Sequence, residues 1–248
     1  MIRVTVWNEN WHDRTDENVA KLYPGGLHKV IADFLGKDEE IEVRTATLDQ
    51  PECGLSDDVL ENTDVMLWWG HCKHGDVPDE LAVKVKDRVL RGMGIIFLHS
   101  AHFSKPFGLL MGTTCSLKWR DGDRDRIWTV MPNHQIAQGI GEYFEIECEE
   151  MYGERFDIPQ PDELVFLGWF SGGEVFRSGC TWYRGLGKVF YFQPGHETNP
   201  SYHLPQVRKI LTNAVKWAAP HKIEDKIDCP HFEPLEESWN ERHPESKI

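Results

Sequence analysis

The tightest constraint in this sequence is a pair of short, continuously apolar runs, residues 64–70 (DVMLWWG) and 94–99 (GIIFLH), separated by an amphipathic stretch. Apolar runs without alternation suit strands covered on both faces, and such strands belong to parallel sheets with helical crossovers. Residues 78–91 supply a crossover, with Leu81, Val85, Val89 and Leu90 on one face and Lys84, Lys86, Asp87 and Arg88 on the other. Upstream, residues 2–9 and 41–48 read as strands. Between them a helical stretch runs from Asp16, its cap, to Gly36, and Pro24-Gly25-Gly26 breaks it in two. Residues 56–61 hold a turn or two of helix. Strand, helix, strand, strand, helix, strand at this spacing predicts an α/β fold with right-handed crossovers.

After Cys115 the pattern changes. Residues 126–131, 145–149, 163–169, 181–184 and 188–192 read as strands with few helices between them, so the second half should add mixed or antiparallel strands at one side. Residues 205–217 form a last amphipathic helix. At 248 residues the chain fits one domain with an appendage. The expected division is an α/β domain over 1–219 and a polar tail over 220–248 that packs on the surface or on a partner subunit, making a homo-oligomer the expected assembly. With 27 Lys+Arg against 41 Asp+Glu, the net charge of −14 repels phosphate, so neither nucleic acid nor an anionic membrane is an expected partner. No apolar run approaches the roughly 18–20 residues of a bilayer span, and the N-terminus leads into a strand rather than a signal peptide. Six widely spaced Cys without a C-x-x-C pair suit a reducing, cytoplasmic setting.

Open α/β sheets bind ligands beyond the carboxyl ends of their strands. The segments at those ends here are Trp7-Asn8-Glu9-Asn10-Trp11-His12, Gly70-His71-Cys72-Lys73-His74, His99-Ser100-Ala101-His102 and Pro194-Gly195-His196-Glu197, with His203 shortly beyond. A single His after a strand is usually an ordinary hydrogen-bonded side chain. Four loops delivering His to one edge make a site for metal ligation or acid–base work. The spacings His71-x-x-His74 and His99-x-x-His102 do not lie on long helices, so they define no ligand set by themselves. A divalent metal, zinc or manganese, needs three or four donors to converge within about 2.0–2.2 Å. His71, His99 and His102 are the candidate metal ligands, and His196 is a further one. His221, His231 and His243 in the tail should be solvated. No nucleotide cofactor is expected.

Trp68-Trp69-Gly70-His71, Phe97-Leu98-His99-Ser100-Ala101, Glu149-Glu150-Met151-Tyr152, and the run from Gly185 through Tyr191 to Gly195-His196-Glu197 come in an order that resembles the ThuA-like family of trehalose utilisation. The resemblance covers about residues 2–217. It implies a flavodoxin-like three-layer sandwich, mostly parallel, similar to the class I glutamine amidotransferases. Those enzymes carry a nucleophilic Cys on a sharp turn after the strand matching 94–99, and a His followed by Glu after a late strand. His196-Glu197 matches the second element. The first is missing, because Ser100 or Ala101 takes the turn and no Cys lies nearer than Cys115. Glutaminase activity is therefore not expected. A triad of Ser100, His196 and Glu197 lacks the glycines of a G-x-S-x-G elbow, and the alternative for Ser100 is a hydroxyl satisfying a strand-end backbone group.

The resemblance implies a role in disaccharide catabolism with a small sugar as ligand. Trp7, Trp11, Trp69 and Tyr202 offer rings for stacking on a pyranose, and Asn8, Glu150 and Glu197 offer hydrogen-bonding groups. A His cluster with Glu150 and no strong nucleophile suits proton transfer beside the carbonyl of an oxidised keto-sugar, with a metal polarising the oxygen as one option. In that reading His196 is general acid/base, Glu150 and Ser100 complete the catalytic candidates, and His71, His99 and His102 bind metal or stabilise an oxyanion. A sugar dehydrogenase would supply the oxidised substrate. Two alternatives stay open: a non-catalytic sugar-binding or regulatory module, and a metal-dependent hydrolase.

Overall fold

In the computed structural model, residues 1–228 and 232–246 are described. The first half runs β1 (Ile2–Asn8), α1 (His12–Thr15), α2 (Glu17–Leu22), α3 (Leu27–Leu35), β2 (Ile41–Thr47), α4 (Asp57–Glu61), β3 (Val65–Trp69), α5 (Asp79–Leu90), β4 (Gly94–Leu98) and α6 (Lys105–Met111). The second half adds β5 (Lys118–Thr129), β6 (Tyr143–Gly153), β7 (Glu163–Phe170), β8 (Val175–Arg184), β9 (Gly187–Phe192), α7 (Pro205–Ala218) and the short α8 (Trp239–Arg242).

All nine strands form one sheet in the order β2-β1-β3-β4-β9-β8-β7-β5-β6. The pairs from β2 to β9 are parallel, and their order is that of flavodoxin-like sheets. Beyond β9 the pairs are antiparallel, so β8, β7, β5 and β6 extend the sheet at one side. The α/β, flavodoxin-like three-layer sandwich is thus present with its mixed second half.

Alternation along the parallel strands explains why they read as continuously apolar. Val65, Leu67 and Trp69 enter the core shared with α3 and α7, while Met66 and Trp68 enter the one shared with α5 and α6. Trp7 stacks on Trp68 in that second core with ring centroids 3.9 Å apart. The long helical stretch is divided as its sequence requires. The Asp16 carboxylate accepts from the Asn18 and Val19 amides to start α2, and Gly25 and Gly26, at φ 80° and 98°, make the turn before α3.

Several elements differ from the sequence reading: α1 and α8 are additional, and β6 runs from Tyr143 to Gly153 rather than 145–149. β5 begins at Lys118, well before Arg126, because its first half is a solvated ribbon of polar residues with no apolar alternation to reveal it. β8 begins at Val175 rather than Thr181. α6 was not anticipated, although Ser104 caps it by accepting from the Phe107 amide and Pro106 sits in its first turn.

The start of the tail crosses the end of α5. The Glu224 amide donates to the Arg91 carbonyl at 2.9 Å, and Ile223 packs against the core. Farther on, Phe232, Leu235 and Trp239 are exposed, as are His221 and His243. Cys229 and His231 lie outside the described residues. Among the described residues no helix is long and apolar enough to cross a membrane, and Cys53, Cys72, Cys115, Cys148 and Cys180 form no disulfide.

Candidate active site

The loops after β1, β3, β4 and β9 meet at the carboxyl edge of the sheet, where the strand order reverses between β1 and β3. Glu9, just past β1, fixes the loop after β3. Its carboxylate accepts from the backbone amides of His71, Cys72 and Lys73 at 2.6, 3.1 and 2.9 Å. That clasp sets the direction of the His71 side chain.

His71 Nδ1 lies 2.8 Å from Glu197 Oε1, and His12 Nδ1 lies 2.9 Å from the same oxygen, off the line that a hydrogen bond prefers. Glu197 is buried, and burial alone would raise its pKa. The close imidazoles of His12 and His71 outweigh that effect and hold the carboxyl well below the usual range. Reciprocally, the nearby Glu197 carboxylate raises the pKa of His12. His71 therefore has Nδ1 occupied by an anionic partner, which leaves Nε2 for a ligand.

β4 ends in a tight turn, and the residue at left-handed φ is His99, at 51°. The sequence comparison with amidotransferases put Ser100 or Ala101 at that turn. The structure places His99 there instead, and its side chain is fully buried. His99 Nδ1 is 2.8 Å from the Gln193 carbonyl, and Nε2 is 2.9 Å from Glu150 Oε2 and 3.3 Å from the Tyr152 hydroxyl. Burial disfavours the charged imidazole, but the adjacent Glu150 carboxylate prevails and its pKa rises. Burial likewise pushes Glu150 up, and the neighbouring His99 more than reverses it. His196 completes the group, its ring centroid 5.3 Å from that of His99 and 5.2 Å from that of His71. Burial and the positive potential of His99 lower its pKa, so it stays neutral near pH 7.

Of these groups, His71, Glu150 and Tyr152 line a hollow of about 190 Å³, together with Ser100, His102, Phe103 and Trp119 among others, while His99 lies buried behind it. A larger hollow of about 480 Å³ lies between α4, α5 and residues 226–228, far less suited to chemistry because its polar lining is of solvated Asp, Glu, Lys and Arg. The small hollow is the one at the strand ends.

Of the residues singled out from sequence, His71, His99, Glu150, His196 and Glu197 come together here. Several others do not. The Ser100 hydroxyl donates to the Gly70 carbonyl at 2.9 Å, so it satisfies the strand end and is not poised as a nucleophile. His102 touches the hollow, but its Nδ1 is bound to the Cys115 carbonyl at 2.7 Å and burial pushes its pKa down to about 3. It belongs to none of the three-residue groups able to hold a metal, so the ligand set His71, His99 and His102 is not assembled. Asn8 is buried and spends its amide on Asp13 and His28. Trp69 is fully buried, with Nε1 donating to the Gly195 carbonyl at 3.0 Å, and Tyr202 is fully buried against Tyr23. Neither ring, nor that of Trp7, offers a face to a sugar. Trp11 is exposed but carries Lys73 Nζ 4.2 Å above its ring.

The sequence reading missed the aromatics that do border the hollow, Phe103 and Trp119, which are 44% and 62% exposed. A lone Trp inside the charged run Lys118-Trp119-Arg120 was the available signal for the second. Glu149 was also missed as a support. Fully buried, it accepts from the amides of Glu150, Gly195 and His196, from Asn199 Nδ2 and from Ser201 Oγ, and so ties β6 to the loop after β9.

The sequence profile of the ThuA family, described as trehalose utilisation, matches residues 3–218. The chain belongs to the ThuA family. Membership supports a role related to trehalose utilisation. A search of curated proteins finds no match for this ThuA-family chain. Among solved structures, a ThuA-like protein from Parabacteroides merdae superposes with a TM-score of 0.62 at 14% identity, covering 91% of this chain and 92% of that one. A cytoplasmic protein from Salmonella typhimurium LT2 gives 0.61 at 11% identity, covering 88% and 100%. A β-galactosidase from Bacillus circulans gives 0.53 at 11% identity, but only 32% of that chain is covered. At these identities the likeness is one of fold.

Proposed function

We propose that this ThuA-family chain is a carbohydrate-modifying enzyme of trehalose-type disaccharide catabolism. It acts by His and Glu acid–base chemistry on a sugar oxidised to the keto form, and it has no glutaminase activity. The observation that carries this reading is the buried Glu197 carboxylate holding His71 Nδ1 at 2.8 Å, beside a hollow bordered by His71 and Glu150. A carboxylate so placed orients the imidazole, leaves Nε2 as base, and stabilises the imidazolium that forms. His71 Nε2 would take the proton from the carbon next to the carbonyl. The C–H electron pair then forms the new C=C bond while the carbonyl π pair moves onto oxygen. That oxygen would lie on the side of the hollow backed by the buried His99, whose raised pKa makes it the group that favours developing negative charge. A proton passes from the adjacent hydroxyl to the new alkoxide oxygen, the C=C pair takes the proton held on His71 at the former carbonyl carbon, and the hydroxyl-bearing carbon becomes the carbonyl, which gives an isomerised sugar. His196 and Glu150 thus serve at the charged floor of the site, and His71 moves the proton.

The hollow of about 190 Å³ is smaller than the roughly 300–1,000 Å³ that encloses drug-sized ligands. It suits a single sugar ring, with the second ring of a disaccharide outside, against Trp119 or Phe103. The reaction that supplies such a substrate is oxidation of a sugar hydroxyl by a dehydrogenase. A cytoplasmic setting belongs to the same proposal, supported by the unpaired cysteines and by the description of the Salmonella neighbour.

The test is proton NMR of a keto derivative of trehalose in deuterated water. Wild-type protein should exchange the hydrogens beside the carbonyl, and His71→Gln should slow that exchange by about 100-fold or more while saturation-transfer signals of bound sugar persist. Binding without exchange in the wild type would replace the enzyme by a sugar-binding module. Neither binding nor exchange would remove the sugar from the proposal.

A further inference from the structure

We propose that His99, Glu150 and His196 form a binding site for one divalent transition-metal ion of the zinc and manganese class, at the edge of the sugar-sized hollow that Glu150 lines. Each residue offers one donor atom, and the three atoms lie within 4.8 Å of one another. Two imidazoles and one carboxylate are a donor set that such ions accept, and three protein ligands leave a coordination position open.

The surroundings of each donor favour ligation. The Nδ1 of His99 is bound to the Gln193 carbonyl at 2.8 Å, which keeps a proton on Nδ1 and makes Nε2 the nitrogen on which an ion would replace a proton. The Nδ1 of His196 is 2.8 Å from Thr198 Oγ1 and accepts from the Thr198 amide at 3.3 Å, so these contacts hold the ring through Nδ1 and leave Nε2 for an ion, which would replace the proton there. Outer hydrogen bonds of this kind fix the tautomer and the ring plane of metal-binding histidines. Glu150 Oε2 is buried without an aligned hydrogen-bond donor, although His99 Nε2 is 2.9 Å away, and the Glu150 side chain is only 7% exposed. A buried carboxylate oxygen left in this state is costly unless a cation meets it. His99 also holds a left-handed backbone conformation, at φ 51°, of the kind that clusters at functional sites.

The other groupings fit an ion less well. In the group of His12, His71 and Glu197, His71 Nδ1 is already committed to Glu197 Oε1 at 2.8 Å, although His12 Nδ1 and Glu197 Oε2 have no aligned partner. Glu9 in the third group is engaged by three backbone amides. The inference deepens the proposed reading, since an ion here would draw electron density from a substrate oxygen in the hollow. It rests on that reading for the role of the ion, not for its presence.

The experiment uses the full chain, stripped with a chelator and titrated with cobalt(II) alone. Visible absorption should rise to saturation at one equivalent, and zinc should displace it. Thr198→Val, which removes only the outer hydrogen bond, should weaken uptake by about 10–100-fold. Glu150→Gln and His196→Gln should weaken it further, while His221→Gln in the exposed tail should match the wild type. His71→Gln should keep cobalt while losing hydrogen exchange, which separates the ion from the proton carrier. Absence of saturable cobalt uptake by the folded wild type up to about 1 mM would overturn the proposal. So would uptake by folded Thr198→Val and Glu150→Gln equal to that of the wild type. Cobalt binding without any turnover would overturn the reaction alone.

Discussion

At the scale of single residues the least satisfied group lies outside the site. Asp125 on β5 is fully buried, and neither carboxylate oxygen has a hydrogen-bond partner. Burial first, and the nearby charge of Glu149 second, raise its pKa well above the usual value. The folded chain therefore keeps a proton that the unfolded chain releases near pH 4, and stability falls as pH rises above that point. Asp125→Asn should be more stable than the wild type at pH 7 by at least about 1 kcal/mol, with the difference shrinking as pH falls toward 4. Urea unfolding at the two pH values measures it, and equal gains at both would contradict it. No sequence pattern marks this residue, because an Asp in a polar strand looks solvated until the sheet closes over it. The histidines were legible for the opposite reason. Topology alone puts His71, His99 and His196 at one edge, whereas separating them from His102 depends on which backbone carbonyl each ring meets. Trp69 and Tyr202 were misread because an aromatic next to a site and one beneath it look alike in sequence.

Among elements, the parallel strands were the legible part, since strands buried on both faces leave no polar positions to blur the pattern. Their close packing depends on a few small residues. At Gly94, where β4 starts, an added Cβ would meet the Ala218 carbonyl and lie 2.8 Å from the Ala218 Cβ at the end of α7. Backbone at both ends of that contact has little room to give. Gly94→Ala should cost about 1–3 kcal/mol, while Gly75→Ala, with nothing within 4 Å, should stay within about 0.5 kcal/mol of the wild type. Thermal melts decide it, and equal melting temperatures would show that α7 can shift away. The antiparallel half was harder to delimit. The first residues of β5 bind β6 through a bulged, water-facing register, so pairing rather than hydrophobicity makes them a strand. That half supplies Glu150 and Tyr152, which is why the full site could not be assembled from the loops after β1, β3, β4 and β9.

For the whole molecule, acid should be destabilising even though it reduces the excess of negative charge. Burial opposes ionisation of Asp64, Glu154 and Glu197, but Arg3, Arg177 and the pair His12 and His71 reverse it and hold all three pKa values down. Their stabilisation is complete above the unfolded-state values near pH 4 and is lost as pH falls below them. Urea midpoints should thus decline from pH 5 to pH 3. A midpoint that rose over this range would mean that relief of the −14 charge outweighs the specific pairs. One buried carboxyl group links the two halves of the sheet. Glu149, with its five donors, fastens β6 to the turn that presents His196. Slippage of the outer ribbon would drag the reactive groups out of alignment while the inner strands stayed intact. Injury there would leave a well-folded but inert protein, a defect that a melting curve alone would overlook.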